Sequence, residues 1–258
     1  MKLTFLGTGT SFGVPQVGCS CAVCRSGDPR DRRSRVGALV EAKGTRLLID
    51  TPPELRLQLI AADVDRVDAI LFTHDHADHT HGIDDLRMVA YAMKKRIDCY
   101  FEKPTLESLV ERFSYCFKTA EGSSYPPILT AKEIFPGRPF RIAGGGGDIE
   151  VLPLAQAHGE ITSLGYRFGG LAYSPDISDI PPETLPLLEG LDVWVVDALR
   201  YTPHPSHFHV KKALEWIGRL KPKRAILTHM TTDLDYDALK RELPQGVEPA
   251  YDEMVIEV

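Results

Sequence analysis

Between Thr73 and Gly82 the chain reads Thr-His-Asp-His-Ala-Asp-His-Thr-His-Gly, and this stretch limits the fold more than any other. His74, His76 and His79 bring three imidazoles, and Asp78 a carboxylate, into six residues. The apolar, β-branched run Val67–Phe72 directly before them predicts a buried strand that delivers the cluster to a strand end. Imidazole nitrogen and carboxylate oxygen suit zinc, manganese or iron. One catalytic ion takes about three protein ligands and keeps a position open for water, so four crowded donors predict two metals. A set of hydrogen-bonded core histidines is the bland alternative, and the spacing after a strand disfavours it.

Length and charge narrow the partners. A chain of 258 residues suits one large two-layer domain. Its formal net charge of −6 offers no overall positive field, which disfavours tRNA and other long polyanions. Met1–Leu6 is strand-like and lacks the apolar stretch of a signal peptide, and no run reaches membrane-spanning length; a cytoplasmic protein with no membrane association is expected. Five cysteines, an odd number, favour thiols or metal ligands over a disulfide framework.

The opening strand leads into Gly7-Thr8-Gly9-Thr10-Ser11-Phe12-Gly13-Val14-Pro15, whose small residues permit tight turns with backbone N–H groups exposed to a phosphate. Cys19, Cys21 and Cys24 follow, a thiol density that suits a small structural zinc site without an obvious fourth ligand; unligated reduced thiols are the alternative. Arg25, Arg30, Arg32, Arg33 and Arg35, interrupted by Asp28 and Asp31, read as a solvated or salt-bridged loop. A hairpin turning at Lys43-Gly44 ends in Asp50, which can either accept the second N–H of a metal-bound imidazole or cap the helix predicted over 54–62. Further helices are predicted over 83–95, 105–117, 182–189, 209–220 and 236–242, and a strand over 96–101, with Cys99 and Cys116 as buried thiols. Residues 118–130 break the periodicity and form a candidate lid or contact surface, and Gly144–Gly147 a flexible turn. In the second half, strands repeatedly end in a polar residue: 149–154 leads to His158, 170–174 to Asp176, 191–196 to Asp197 and 224–228 to His229. Strands alternating with helices indicate α/β layers.

The order His74-x-His76-x-Asp78-His79, then His158, Asp176 and His229, resembles the metallo-β-lactamase superfamily over nearly the whole chain. The resemblance implies an α/β fold, the αβ/βα four-layer sandwich of two mixed β-sheets flanked by helices. It implies a single hydrolase domain over 1–258, with a Cys-rich loop at 18–35. It also implies that His74, His76 and His158 bind one metal, that Asp78, His79 and His229 bind the second, and that Asp176 bridges them. Within the superfamily, Gly7-Thr8-Gly9 with Gly13-Val14-Pro15 is similar to ribonuclease Z and to the cyclic-phosphate phosphodiesterase of carbon-phosphorus lyase pathways. Gly18–Cys24 matches the latter, where three cysteines join a histidine three residues after the last catalytic one. Here that position is Thr232, a departure, which leaves Asp233 or a residue elsewhere as the substitute ligand, or the site empty. In phosphodiesterase relatives a histidine matching His207 lies beside the reacting phosphate, where an imidazole suits a general acid. His209 could compete for that role, His204 reads as structural, and His81 as a residue packing behind the ligands.

The expected activity is a dinuclear metal-dependent phosphodiesterase acting on a small cyclic phosphate or nucleotide-type diester. Two divalent ions, zinc or manganese with iron as an alternative, would share a water and lower its pKa. Asp78 would orient the attacking group, His207 would protonate the leaving oxygen, and N–H groups of Thr8–Ser11 or Arg87 would hold a non-bridging oxygen. A ribonuclease Z-like RNA endonuclease needs a basic arm that no segment supplies. An ester, thioester or lactam hydrolase of the same fold would keep most ligands, and a non-catalytic metal-binding protein is disfavoured by the intact set. A homodimer is the candidate assembly.

Overall fold

The computed structural model describes residues 1–119 and 121–258. It contains two mixed sheets of seven strands each. The first runs, in spatial order, β14 (Val255–Glu257), β1 (Lys2–Gly7), β2 (Gly37–Ala42), β3 (Thr45–Ile49), β4 (Ala69–Leu71), β5 (Ile97–Phe101) and β6 (Leu129–Glu133). The second runs β7 (Phe140–Ile142), β8 (Ile149–His158), β9 (Ile161–Phe168), β10 (Leu171–Ser174), β11 (Val193–Asp197), β12 (Arg224–Thr228) and β13 (Val247–Pro249). Each sheet begins with three antiparallel pairings and continues with three parallel ones.

Side-chain alternation assigns the layers. Along β11, Val193 and Val195 face the core between the sheets with Leu3, Phe5, Val40 and Tyr166, whereas Trp194 and Val196 face outward. A strand covered on both faces reads as a continuous apolar run, because alternation then selects two apolar partners rather than one apolar and one wet. The outer face of the second sheet is covered by α6 (Val210–Leu220) and α7 (Tyr236–Glu242) through Ala213, Trp216 and Leu239. On the first sheet, Leu48, Ile70 and Cys99 pack against Leu55 of α1 (Leu55–Ala61), Leu86 of α3 (Leu86–Met93) and Leu109 of α4 (Lys103–Arg112). This is the αβ/βα sandwich.

Several elements differ from the sequence expectation. Ile83–Asp85 is a 3-10 turn ahead of α3, and the helix expected over 105–117 breaks at Phe113, whose φ of −122° and ψ of 38° leave the helical region and turn Cys116 and Phe117 of α5 (Ser114–Phe117) into the core. Pro186 lies inside the 182–189 segment, removes a helical N–H, and leaves only a 3-10 turn over Leu185–Leu188. The candidate lid contains residue 120, outside the described residues, and its last two positions belong to β6. Pro126, Pro127 and Ile128 line a cavity with Tyr91, Lys94 and Arg96, at the start of β5. Because β5 runs parallel to β4, that cavity lies at the strand end opposite the histidine cluster. Arg33, in the run that reads as a solvated or salt-bridged loop, takes the salt-bridged form: it is ion-paired to Asp31 at 3.2 Å, and its side chain is 0% exposed.

The pairing directions collect the chemistry on one edge. β3 and β4 are parallel, as are β10, β11 and β12, and β8 runs with β10 because both are antiparallel to β9. Asp50, His74, His158, Asp176, Asp197 and His229 therefore all lie at or just beyond strand ends of the same sense. Two bonds clamp the sheets together there: Tyr166 on β9 donates its hydroxyl to the Phe72 carbonyl at 2.5 Å, and Leu164 donates its N–H to the Thr73 carbonyl at 2.8 Å.

Candidate metal centre

Past β4 the chain turns into α2 (Ala77–Thr80), with His76 as its N-cap residue, so Asp78 and His79 occupy the first turn. Asp50 fixes this turn from below. It accepts the Thr73 N–H and Thr73 hydroxyl at 2.8 Å each and the His79 Nδ1–H at 2.7 Å. The capping role considered for Asp50 is not what the geometry shows, since α1 is capped by Glu54 without a side-chain bond. His74 Nδ1 meets Thr73 Oγ1 at 3.0 Å, and His158 Nδ1 donates to the Ser206 carbonyl at 2.6 Å. With Nδ1 engaged, each of these rings presents Nε2 to the centre.

Those nitrogens converge on Asp176. Its Oδ1 lies 3.1 Å from His79 Nε2 and 3.4 Å from His229 Nε2; its Oδ2 lies 3.6 Å from His158 Nε2 and 3.9 Å from His74 Nε2. Asp78 Oδ2 stands 3.6 Å from both His79 Nε2 and His229 Nε2, and His76 Nδ1 is 3.3 Å from His158 Nε2. The donor atoms of His74, His76 and His158 form one group within 4.8 Å of one another, those of Asp78, His79 and His229 a second, and Asp176 joins His74 and His79 in a third.

His74 Nε2, His79 Nε2, His229 Nε2 and Asp176 Oδ1 are buried and without a hydrogen-bond partner among the described residues. A fold does not ordinarily leave so many polar atoms unsatisfied in one place. A cation between them would satisfy them, and the mixed nitrogen and oxygen donors fit a divalent metal. Burial alone would raise both carboxyls, yet the imidazoles outweigh it: His229 and His79 hold Asp176 well below the usual range, and His79 and His229 bring Asp78 to about 2. Both remain ionised and ready to act as ligands.

His207 lies against this cluster, its ring stacked on His229 with centroids 4.8 Å apart and edge-on to His158 at 4.7 Å. Its Nδ1 donates to Asp197 Oδ2 at 2.8 Å. Burial works against a charged imidazole, but the Asp197 carboxylate and its hydrogen bond outweigh burial and push His207 up to about 9. Asp197 is the residue that sequence reasoning left without a role, although it ends an apolar strand just as Asp50 does. His204 accepts from Ser206, His209 caps α6, and His81 is exposed and edge-on to Phe113.

Of the N–H groups of Thr8–Ser11 expected to face a phosphate, those of Gly9 and Thr10 donate instead to the carbonyls of Ser34 and Met230, and Arg87 is paired to Asp84 at 2.6 Å. The sulfurs of Cys19, Cys21 and Cys24 do lie within 4.8 Å of one another, with backbone N–H groups of Gln16 and Cys24 donating to Cys24 and Cys21 at 3.3 and 3.4 Å. Asp233 is exposed on its turn.

Residues 45–230 match the model of the β-lactamase superfamily domain. The chain is 37% identical over 257 residues to an octanoyltransferase of Porphyromonas gingivalis, which covers 98% of this chain and 50% of that protein. It is 31% identical over 142 residues to a ribonuclease Z of Methanopyrus kandleri, covering 54% of this chain and 45% of that one. The chain thus spans about half the length of these curated relatives. Among solved structures, a diphosphatase of the PhnP family superimposes with a TM-score of 0.91 at 36% identity, covering 99% of this chain and 96% of the other. The donor cluster at the strand ends, the paired seven-stranded sheets and these matches agree: the chain belongs to the metallo-β-lactamase superfamily.

Proposed function

We propose that the chain hydrolyses a small phosphodiester or diphosphate at a site holding two divalent ions. His74, His76 and His158 would hold one, Asp78, His79 and His229 the other, and Asp176 would touch both. The observation that carries this reading is the His207–Asp197 pair set directly against the donor cluster. Bound there, the ions would supply Lewis acidity and a water of lowered pKa, with zinc or manganese suited to the donors and iron an alternative. The chain supplies the rest. Asp197 takes the Nδ1 proton of His207 in a hydrogen bond, so the second imidazole proton sits on Nε2 and can pass to a departing oxygen. Asp78 stays ionised and can accept a hydrogen bond from the attacking group, orienting it. The net charge of −6 speaks against a long RNA as substrate.

The deciding experiment joins metal analysis to a substrate panel of cyclic phosphodiesters, linear phosphodiesters, diphosphates and an octanoyl thioester. The thioester belongs there because half of a protein named octanoyltransferase aligns with this chain. Turnover of a phosphorus ester or anhydride is expected. Turnover of the thioester alone, or of nothing by a protein with both ions bound, would overturn the proposal.

A further inference from the structure

Four imidazoles around the centre are oriented through Nδ1: His74 by Thr73, His79 by Asp50, His158 by the Ser206 carbonyl and His207 by Asp197. His229 differs. Neither of its ring nitrogens has a hydrogen-bond partner among the described residues, and its backbone adopts a left-handed φ of 60°. Its ring is aimed by the backbone and by the stacked His207, so whatever fixes the following turn fixes the ligand.

Arg33 does this. Its buried guanidinium donates to the carbonyls of Thr231 at 3.1 Å and Leu234 at 2.6 Å, and to Asp31 at 3.2 Å. Asp31 in turn accepts the Tyr236 N–H at 2.9 Å. The Arg33 backbone exchanges two 2.8 Å bonds with Val14, and a Cβ on Gly9 would come within 2.6 Å of the Arg33 carbonyl. One side chain therefore ties the turn after His229 to the 31–35 segment and to the loop after β1. A planar guanidinium presents several N–H groups at fixed angles and can bridge two carbonyls and a carboxylate at once; a lysine ammonium cannot span the same three acceptors.

We propose that Arg33 is a positioning residue for His229 and sets the metal affinity of the Asp78–His79–His229 site. This rests on the two-metal reading above. The test is a zinc titration of the full chain against a chromophoric chelator, comparing wild type, Arg33→Met, Arg33→Lys, His229→Ala and Arg33→Met/His229→Ala. Wild type should bind two ions at the histidine centre, counted apart from any ion held by Cys19, Cys21 and Cys24 by running every protein in a Cys21→Ser background. Arg33→Met should weaken one of them by about 10–100-fold, as loss of an outer support does, and leave the other unchanged. Arg33→Lys should fall between, and the double variant should bind no more weakly than His229→Ala, because both changes act on one ligand. Wild-type affinity at both sites in Arg33→Met, equal weakening of both sites, or additive losses in the double variant would overturn the assignment. If Arg33→Met does not fold, Arg33→Lys decides: selective weakening supports the role and two unchanged affinities overturn it. A wild-type protein binding fewer than two ions would defeat the two-metal reading itself, whatever the variants do, and the assignment with it.

Discussion

At the scale of single residues, buried carboxylates determine what their partners can do. Asp197 keeps His207 protonated and leaves its Nε2 proton available. Replacing His207 by Asn should lower kcat by about 100–10,000-fold for substrates that expel an alkoxide. It should matter little for a 4-nitrophenyl ester, whose leaving group needs no proton; equal losses on both substrates would remove His207 as the acid. Since Asp197 raises the imidazole, Asp197→Asn should move the alkaline limb of the kcat profile to lower pH, and an unmoved limb would break the link. Asp252 shows the opposite balance. It accepts three bonds of 2.7 Å from Thr8 and Ser34, yet burial pushes it up to about 6. A carboxyl raised above its unfolded value of about 3.9 contributes stability that is full below that value and is lost as pH rises through about 6. The stability advantage of wild type over Asp252→Asn in urea should therefore shrink from pH 4 to pH 7, by on the order of 2 kcal/mol. The same difference at both pH values would contradict it.

Among the elements, strands that are apolar on both faces are legible in the sequence, whereas the short edge strands are not, nor is β9, whose Ser163, Gly165 and Arg167 break the apolar run. β12 was read with its observed bounds because Ala225, Ile226 and Leu227 are apolar on both faces. β13 and β14 have three residues each and carry Glu248, Pro249 and Glu257, so pairing partners distant in sequence, rather than pattern, make them strands. The site divides similarly. The cluster 74–79 announces itself through local spacing, whereas the role of Arg33 depends on carbonyls of Thr231 and Leu234, and a run of arginines looks solvated until those acceptors are known. Tyr166 is another such residue, joining one sheet to the strand end of the other. Tyr166→Phe removes that bond and orphans a buried carbonyl, which should cost roughly 1–3 kcal/mol in urea unfolding. An unchanged midpoint and slope would mean that the inter-sheet clamp lies elsewhere.

For the whole molecule, candidate ligands drawn from both sheets would couple a bound ion to global stability. An ion that binds only the folded chain adds about 4 kcal/mol at a thousandfold excess over its Kd, and each kcal/mol shifts the Tm of a chain this size by about 2–4 °C. Removing the metals with a chelator should lower Tm by roughly 10 °C, reversibly on re-addition; a melt indifferent to chelator would argue against ions bridging the sheets. None of the helices among the described residues is long and apolar enough to cross a membrane.

The division of the ligands between the sheets also sets an order in time. His74, His76, Asp78 and His79 precede His158, Asp176 and His229 in the chain. At ordinary synthesis rates, residue 79 is made on the order of ten seconds before residue 229. During that interval the nascent chain carries only His74, His76, Asp78 and His79 of the proposed donor set. Ions held through this window would bind loosely and exchange with whatever metal the surroundings offer. On the two-ion reading, the choice of metal would be made late, when the second sheet closes over the first.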